Sequence, residues 1–148
     1  MLHTRLGRTD LTVSRVALGC MSYGDPGAGL HSWTLNEEAS QPFFRQAVEH
    51  IAGAMLEACA RANVKIDDVD WFIPHQANQR ILDGVSRRLG IDAEKVVSTV
   101  GLHGNTSAAS VPLALDVAIK DGRVKQGQLI LMEALGGGLT WASALARL

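Results

Sequence analysis

Apolar positions along this chain fall into stretches of helical and of strand character. Phe44, Ala47, Val48, Ile51, Met55 and Cys59 recur at spacings of three and four, which places them on one stripe of a long helix. Asn36 stands where such a helix needs an N-cap, Glu37 and Glu38 suit its positive end, and the pattern runs past Pro42 to about Asn63. VKIDDVDWFIPH then supplies a compact strand, Val69 to Ile73, stopped by Pro74. Ala77, Ile81, Val85 and Leu89 share one side of a second helix that Gly90 can end as a left-handed residue, leaving Arg80, Arg87 and Arg88 for its other faces. KVVSTV reads as another short strand and LHGNTSAAS as a loop. The helix that follows carries Leu115, Ala118 and Ile119, and it starts near Ser110 or kinks at Pro112, which has no donor NH. QLILMEAL and LTWASALARL flank Gly136, Gly137 and Gly138 as two strands joined through a glycine turn. Before all of these, RLGRTDLTVSRVAL predicts a hairpin and a short strand around Val13 to Val16, and residues 23–35, with Asp-Pro and three glycines, predict a loop. The expected fold class is α/β, rich in helix and without an internal repeat.

Composition narrows the setting. The 148 residues fit one domain, and 47% hydrophobic residues are enough for a packed core. A formal charge of −1 gives no strong field toward nucleic acid or an anionic membrane, so neither is expected as a partner. Cys20 and Cys59 lie far apart with no CxxC or Cys/His spacing, so no metal site and no disulfide framework is expected. The scattered charges of the first residues do not read as a signal peptide, and no segment is long and apolar enough to span a bilayer. A reducing cytoplasm is the expected compartment.

Two side chains stand out as carriers of chemistry. His75 follows a strand and lies near a helix start, where the dipole disfavours the protonated ring; it is either a neutral hydrogen-bond donor or a histidine that satisfies nearby backbone groups. Asn105, in HGNTS, is a cap, a turn former or an amide aimed at a developing oxyanion.

Taken together, PHQAN at 74–78, HGNTSAASVPLAL at 103–115 and GQLILMEALGGGLTWASAL at 127–145 closely resemble, in order and wording, the C-terminal half of the β-ketoacyl-acyl-carrier-protein synthase III family. The resemblance runs from about residue 48 to 148. It implies a thiolase-like half-domain, one of two related units that share an active site. In that family a cysteine of the first half accepts an acyl group from a coenzyme A thioester. Malonyl-acyl-carrier protein is then decarboxylated to a carbanion that attacks the acyl thioester. His75 and Asn105 match the histidine and asparagine of that step, Asn78 a position near the pantetheine arm, and Arg80 a basic residue that docks the acidic carrier protein. Some of these positions also have a plainer reading, Arg80 as part of a solvated helix face and the neighbouring His103 as a support for its loop. By resemblance the substrate is a coenzyme A thioester and no resident cofactor is expected.

The first residues read differently. LGRTDLTVSRVALGCMSYGD and WTLNEEASQPFFRQA resemble the opening of an aldo-keto reductase, over residues 5–47, and the two resemblances meet near FRQAVEHIAG. The domain expectation is accordingly 1–47 as a hairpin, strand and helix graft, and 48–148 as the synthase-like domain. The reductase family's catalytic set falls beyond this stretch, so no nicotinamide chemistry is carried over. Neither Cys20 nor Cys59 stands in the nucleophile motif, and Cys59 falls on an apolar stripe. The chain is therefore expected to keep a His75/Asn105 half-site without full condensing activity alone. The alternative is a module that binds acyl-carrier protein or assembles as a homo-oligomer or with a separate N-terminal half.

Overall fold

A computed structural model describes residues 3–5, 12–14, 36–136 and 140–148. The chain divides into two compact units, residues 1–47 with 136–140, and residues 48–135 with 141–148. In the first unit β1 (His3–Arg5) and β2 (Thr12–Ser14) pair antiparallel with Thr4 opposite Val13, as a hairpin demands. Of the short strand expected around Val13 to Val16, Val13 and Ser14 belong to β2; its remainder and the loop at 23–35 lie outside the described residues.

Helix α1 (Glu37–Arg61) starts where the capping pattern says it should: Asn36 Oδ1 accepts the Ala39 backbone N–H at 2.9 Å, and Glu37 and Glu38 occupy the first turn. It ends through Asn63, whose φ of 54° is the left-handed conformation that asparagine tolerates; Val64 N–H then reaches back to the Cys59 carbonyl at 2.9 Å. Ile51, Met55 and Cys59 of the expected stripe are buried.

The second unit is built on a βαβ arrangement. Its sheet runs β3–β4–β5, with β3 (Trp71–Ile73) parallel to β4 (Leu129–Gly136) in the register Phe72 opposite Leu131, and with β5 (Thr140–Arg147) on the far edge. Parallel neighbours need a crossover, and three helices supply it: α2 (Gln79–Leu89), the single turn α3 (Val100–His103) and α4 (Ser110–Lys120). Ala114 and Ala118 of α4 pack with Ile73, Val97, Val124 and Ile130, and Trp71, Val111, Leu115 and Met132 close the edge of this cluster. Phe72 and Leu131 alternate to the opposite face and are fully buried, so both faces of the central strands are covered. Each of these large side chains contributes roughly 1.5–3 kcal/mol by leaving water. On the helical side, α1 and α2 come so close that a Cβ placed on Gly84 would sit 2.9 Å from Val48 Cγ2. A side chain at this position would force Val48 or the two helices to shift.

Three local expectations are corrected. The strand expected from Val69 contains only Trp71–Ile73, because Ile66–Asp68 wind into a 3₁₀ turn that takes the Val69 N–H. KVVSTV forms no strand. It makes one parallel bridge, Val96 to Phe72, because Ala93–Lys95 form a 3₁₀ turn on one side and α3 begins at Val100 on the other. LHGNTSAAS contains the end of α3 and a 3₁₀ turn, Ser107–Ala109, rather than open loop alone. The start of α4 at Ser110, with Pro112 in its first turn, agrees with the sequence reading.

Candidate functional site

His75 sits just past the end of β3 and is held from two directions. Its backbone N–H donates to the Glu133 carbonyl of β4 at 2.8 Å, which extends the parallel ladder beyond the strand itself. Its ring Nδ1 lies 2.5 Å from Oγ of Ser110, the first residue of α4. The ring is partly buried, and that burial lowers its pKa below the usual 6.5, so it is neutral at physiological pH.

The loop between His75 and α2 is organised by Gln76, which is buried and fully satisfied. Its Nε2 donates to the carbonyls of Pro74 at 2.8 Å and Val97 at 3.1 Å. Its Oε1 accepts the backbone N–H groups of Thr99 at 2.6 Å and Val100 at 3.0 Å, capping α3 from another part of the chain. Gln76 N–H also donates to Ser110 Oγ, at 3.3 Å. One residue thus ties the ends of β3, α3 and α4 together around the histidine.

Asn105 lies in the connection from α3 to α4. Gly104 at φ 66° and Ser107 at φ 53° give this connection a backbone path that residues other than glycine seldom follow. The Asn105 Oδ1 accepts the Ser107 N–H at 2.9 Å, so the amide oxygen is committed to the turn and the Nδ2 hydrogens are the end free to donate outward. Among the described residues no hydrogen bond joins Asn105 to His75. The link between them is through the chain: Asn105 leads into the helix whose first residue holds the imidazole.

Asn78 and Arg80 have defined local positions. Asn78 is the N-cap of α2, its Oδ1 accepting the Arg80 N–H at 2.8 Å, and Arg80 is exposed on the first turn. At the other end of α2 Gly90 adopts φ 68°, and Arg88 reaches across to Glu49 of α1 at 3.0 Å in an exposed pair.

Sequence reasoning overlooked Gln76, Ser110 and Glu133. The first two lie close in sequence to His75 and Asn105, but their roles depend on partners 21 to 35 residues away. Glu133 is a more detectable omission: a lone carboxylate inside the apolar run QLILMEAL. It is 3% exposed, its Oε1 has no hydrogen-bond partner among the described residues, and burial pushes its pKa up to about 7, with the His75 backbone N–H pulling the other way. Cys59 is buried in α1 and burial raises its thiol pKa, the opposite of what a nucleophile needs. Cys20 lies outside the described residues. No group of three potential metal ligands occurs among the described residues. Clefts lie at Glu37–Arg45 and beside Ile91, and neither includes His75 or Asn105.

Comparison with known proteins places this geometry. The sequence profile of the family described as 3-oxoacyl-[acyl-carrier-protein (ACP)] synthase III C terminal matches residues 59–148. The β-ketoacyl-[acyl-carrier-protein] synthase III of Caulobacter vibrioides is 61% identical over 105 residues, 71% of this chain and 33% of that protein. The crystal structure of 3-oxoacyl-[acyl-carrier-protein] synthase III from Aquifex aeolicus superposes with a TM-score of 0.71 and 47% identity, covering 74% of this chain and 35% of that one. OleA of Xanthomonas campestris, solved with bound lauric acid and lauroyl-CoA, superposes with a TM-score of 0.68 and 26% identity over 74% of this chain and 32% of its own. The fold is thus the thiolase-like α/β fold expected from sequence. The chain spans about a third of the length of the relatives it matches. The profile match begins at residue 59 and gives no support to the reductase resemblance of residues 5–47.

Proposed function

Because the chain belongs to the 3-oxoacyl-[acyl-carrier-protein] synthase III C-terminal family, we propose that it carries the decarboxylating half of a condensing-enzyme active site, with His75 and Asn105 as the oxyanion donors. The observation that carries this is the placement of the His75 imidazole, fixed through its backbone to β4 and through its ring to α4, where burial favours the neutral ring. The substrate is a malonyl thioester on acyl-carrier protein or coenzyme A. As the carbon–carbon bond to the carboxylate breaks, its electron pair moves into the thioester as an enolate and carbon dioxide leaves. An imidazole N–H and an amide N–H aimed at the enolate oxygen stabilise the charge, and a solvent proton completes an acetyl thioester when no acyl acceptor is present. A neutral imidazole suits this chemistry, since it donates a hydrogen bond without carrying a full charge, and the step needs no resident cofactor.

Condensation needs in addition a cysteine that carries the acyl group. Cys59 is buried with a raised pKa, so we assign the nucleophile to a separate N-terminal half or to the equivalent part of a larger assembly. The partners that follow are acyl-carrier protein, docked near Arg80 with its pantetheine arm passing Asn78, and a second protein surface, either a complementary half or another copy of this chain. By its family resemblance the reading includes a cytoplasmic setting. Among the described residues no helix is long and apolar enough to cross a membrane.

The chain incubated with labelled acetyl-coenzyme A and malonyl-acyl-carrier protein is expected to yield no acetylated protein by mass spectrometry and no four-carbon condensed product. An acetyl adduct that disappears in Cys20→Ser or Cys59→Ser would overturn the assignment of the nucleophile elsewhere.

A further inference from the structure

An imidazole can serve as a neutral donor through only one of its nitrogens, and which one is decided by the partner of the other. Ser110 Oγ stands 2.5 Å from His75 Nδ1 and 3.3 Å from the Gln76 backbone nitrogen. Ser110 is 1% exposed, so its hydroxyl cannot turn to water. A serine oxygen has one hydrogen to give and two lone pairs to receive. The Gln76 N–H has no choice but to donate, which uses one lone pair. Among the described residues the only acceptor the Ser110 hydroxyl hydrogen reaches is His75 Nδ1. If Nδ1 carried the ring proton instead, two donors would converge on Oγ and the hydroxyl hydrogen would be left buried without an acceptor, a cost of about 10-fold in the tautomer balance.

We propose that Ser110 is a positioning residue: by donating its hydroxyl hydrogen to His75 Nδ1, with its oxygen held by Gln76 N–H, it keeps the ring as the Nε2–H tautomer. This rests on reading His75 as an oxyanion donor and adds to it the residue that holds the ring in its donating form. It also gives Gln76 a second role. The same residue that caps α3 through Oε1 presents its N–H to Ser110, so the loop geometry and the ring proton are set by one connected network. The arrangement joins residues that are 34 and 35 positions apart in the chain.

The test reads the ring nitrogens directly. The whole chain is labelled with nitrogen-15, and long-range proton–nitrogen correlation spectra are recorded above the imidazole titration range, with His75 assigned by the signal lost in His75→Gln. The expected result is a protonated Nε2 and an unprotonated Nδ1 displaced upfield by the hydrogen bond it accepts. In Ser110→Ala the Nδ1 signal should move to the position of an unbonded ring nitrogen with exchange between tautomers, and Ser110→Thr should restore the original shifts. A protonated Nδ1 in the unsubstituted chain would overturn the assignment without any variant, as would an Nδ1 shift unchanged by Ser110→Ala. Carbon dioxide release from malonyl-acyl-carrier protein is measured on the same samples. An Nε2–H ring in a chain that releases none would support the role of Ser110 in setting the tautomer while removing the proposed reaction.

Discussion

At the scale of single residues, Glu133 combines near-complete burial with an Oε1 that no donor among the described residues reaches, and its carboxyl accordingly titrates at about 7 rather than at the ordinary 4.5. The folded state binds this proton more tightly than the unfolded chain does. Its stabilising effect is therefore complete below the ordinary value and is lost as pH rises from there through 7, a loss of about 3 kcal/mol. His75 has the opposite sign: burial lowers its pKa, so the folded state resists protonation and stability falls as pH drops below 6.5 through the lowered value. The two slopes overlap, and Glu133→Gln separates them. Urea midpoints for this variant are expected to lose the decline toward pH 8 and keep the fall on the acid side. A difference between the variant and the parent chain that stays constant across that range would show that Glu133 is not protonated in the folded state. Of these residues only His75 is legible in the sequence as a site, because its motif is local. Ser110 looks like a helix start, which it is, and nothing within its own segment reveals that its hydroxyl meets a histidine 35 residues earlier.

Helices are more faithfully legible in this sequence than strands, for a physical reason. A helix makes its hydrogen bonds within itself, so the stripe Ile51, Met55, Cys59 and the terminator Gly90 carry the necessary information locally. KVVSTV has the composition of a strand, but Gln76 Oε1 takes the N–H groups of Thr99 and Val100, and a ladder cannot continue through donors already used. The same distinction bears on Asn78, which the family resemblance places near the pantetheine arm and which here caps α2. Asn78→Ala is expected to lower stability by about 1 kcal/mol, and Asn78→Ser to restore most of it, since serine caps nearly as well. Thermal or urea unfolding of the pair checks this, and equal stabilities for Ala and Asn would deny the cap its energetic role. Any weakening of thioester binding common to both variants then reports the pantetheine contact separately from capping.

For the molecule as a whole, the three motif blocks around residues 74–78, 103–115 and 127–145 converge on one βαβ unit: the first follows β3, the second leads into α4, and the third forms β4 and β5. Their convergence is what topology adds to sequence, because a parallel pair joined by a helical crossover brings the end of β3 beside β4 and within reach of the start of α4. The resemblance is readable because its wording is dense in this unit; the reductase-like reading of residues 5–47 has no second block elsewhere in the chain to support it. Spanning about a third of its relatives, the chain holds the proposed oxyanion donors, His75 and Asn105, in a folded setting together with a buried Cys59 whose thiol pKa is raised. Decarboxylation separated from condensation is the behaviour this predicts. The most direct measurement is carbon dioxide released from carboxyl-labelled malonyl-acyl-carrier protein by the purified chain, compared with His75→Ala and Asn105→Ala. Release above background that falls about 10²–10³-fold in either variant is the predicted result; release at background, or equal in all three proteins, would contradict the half-site.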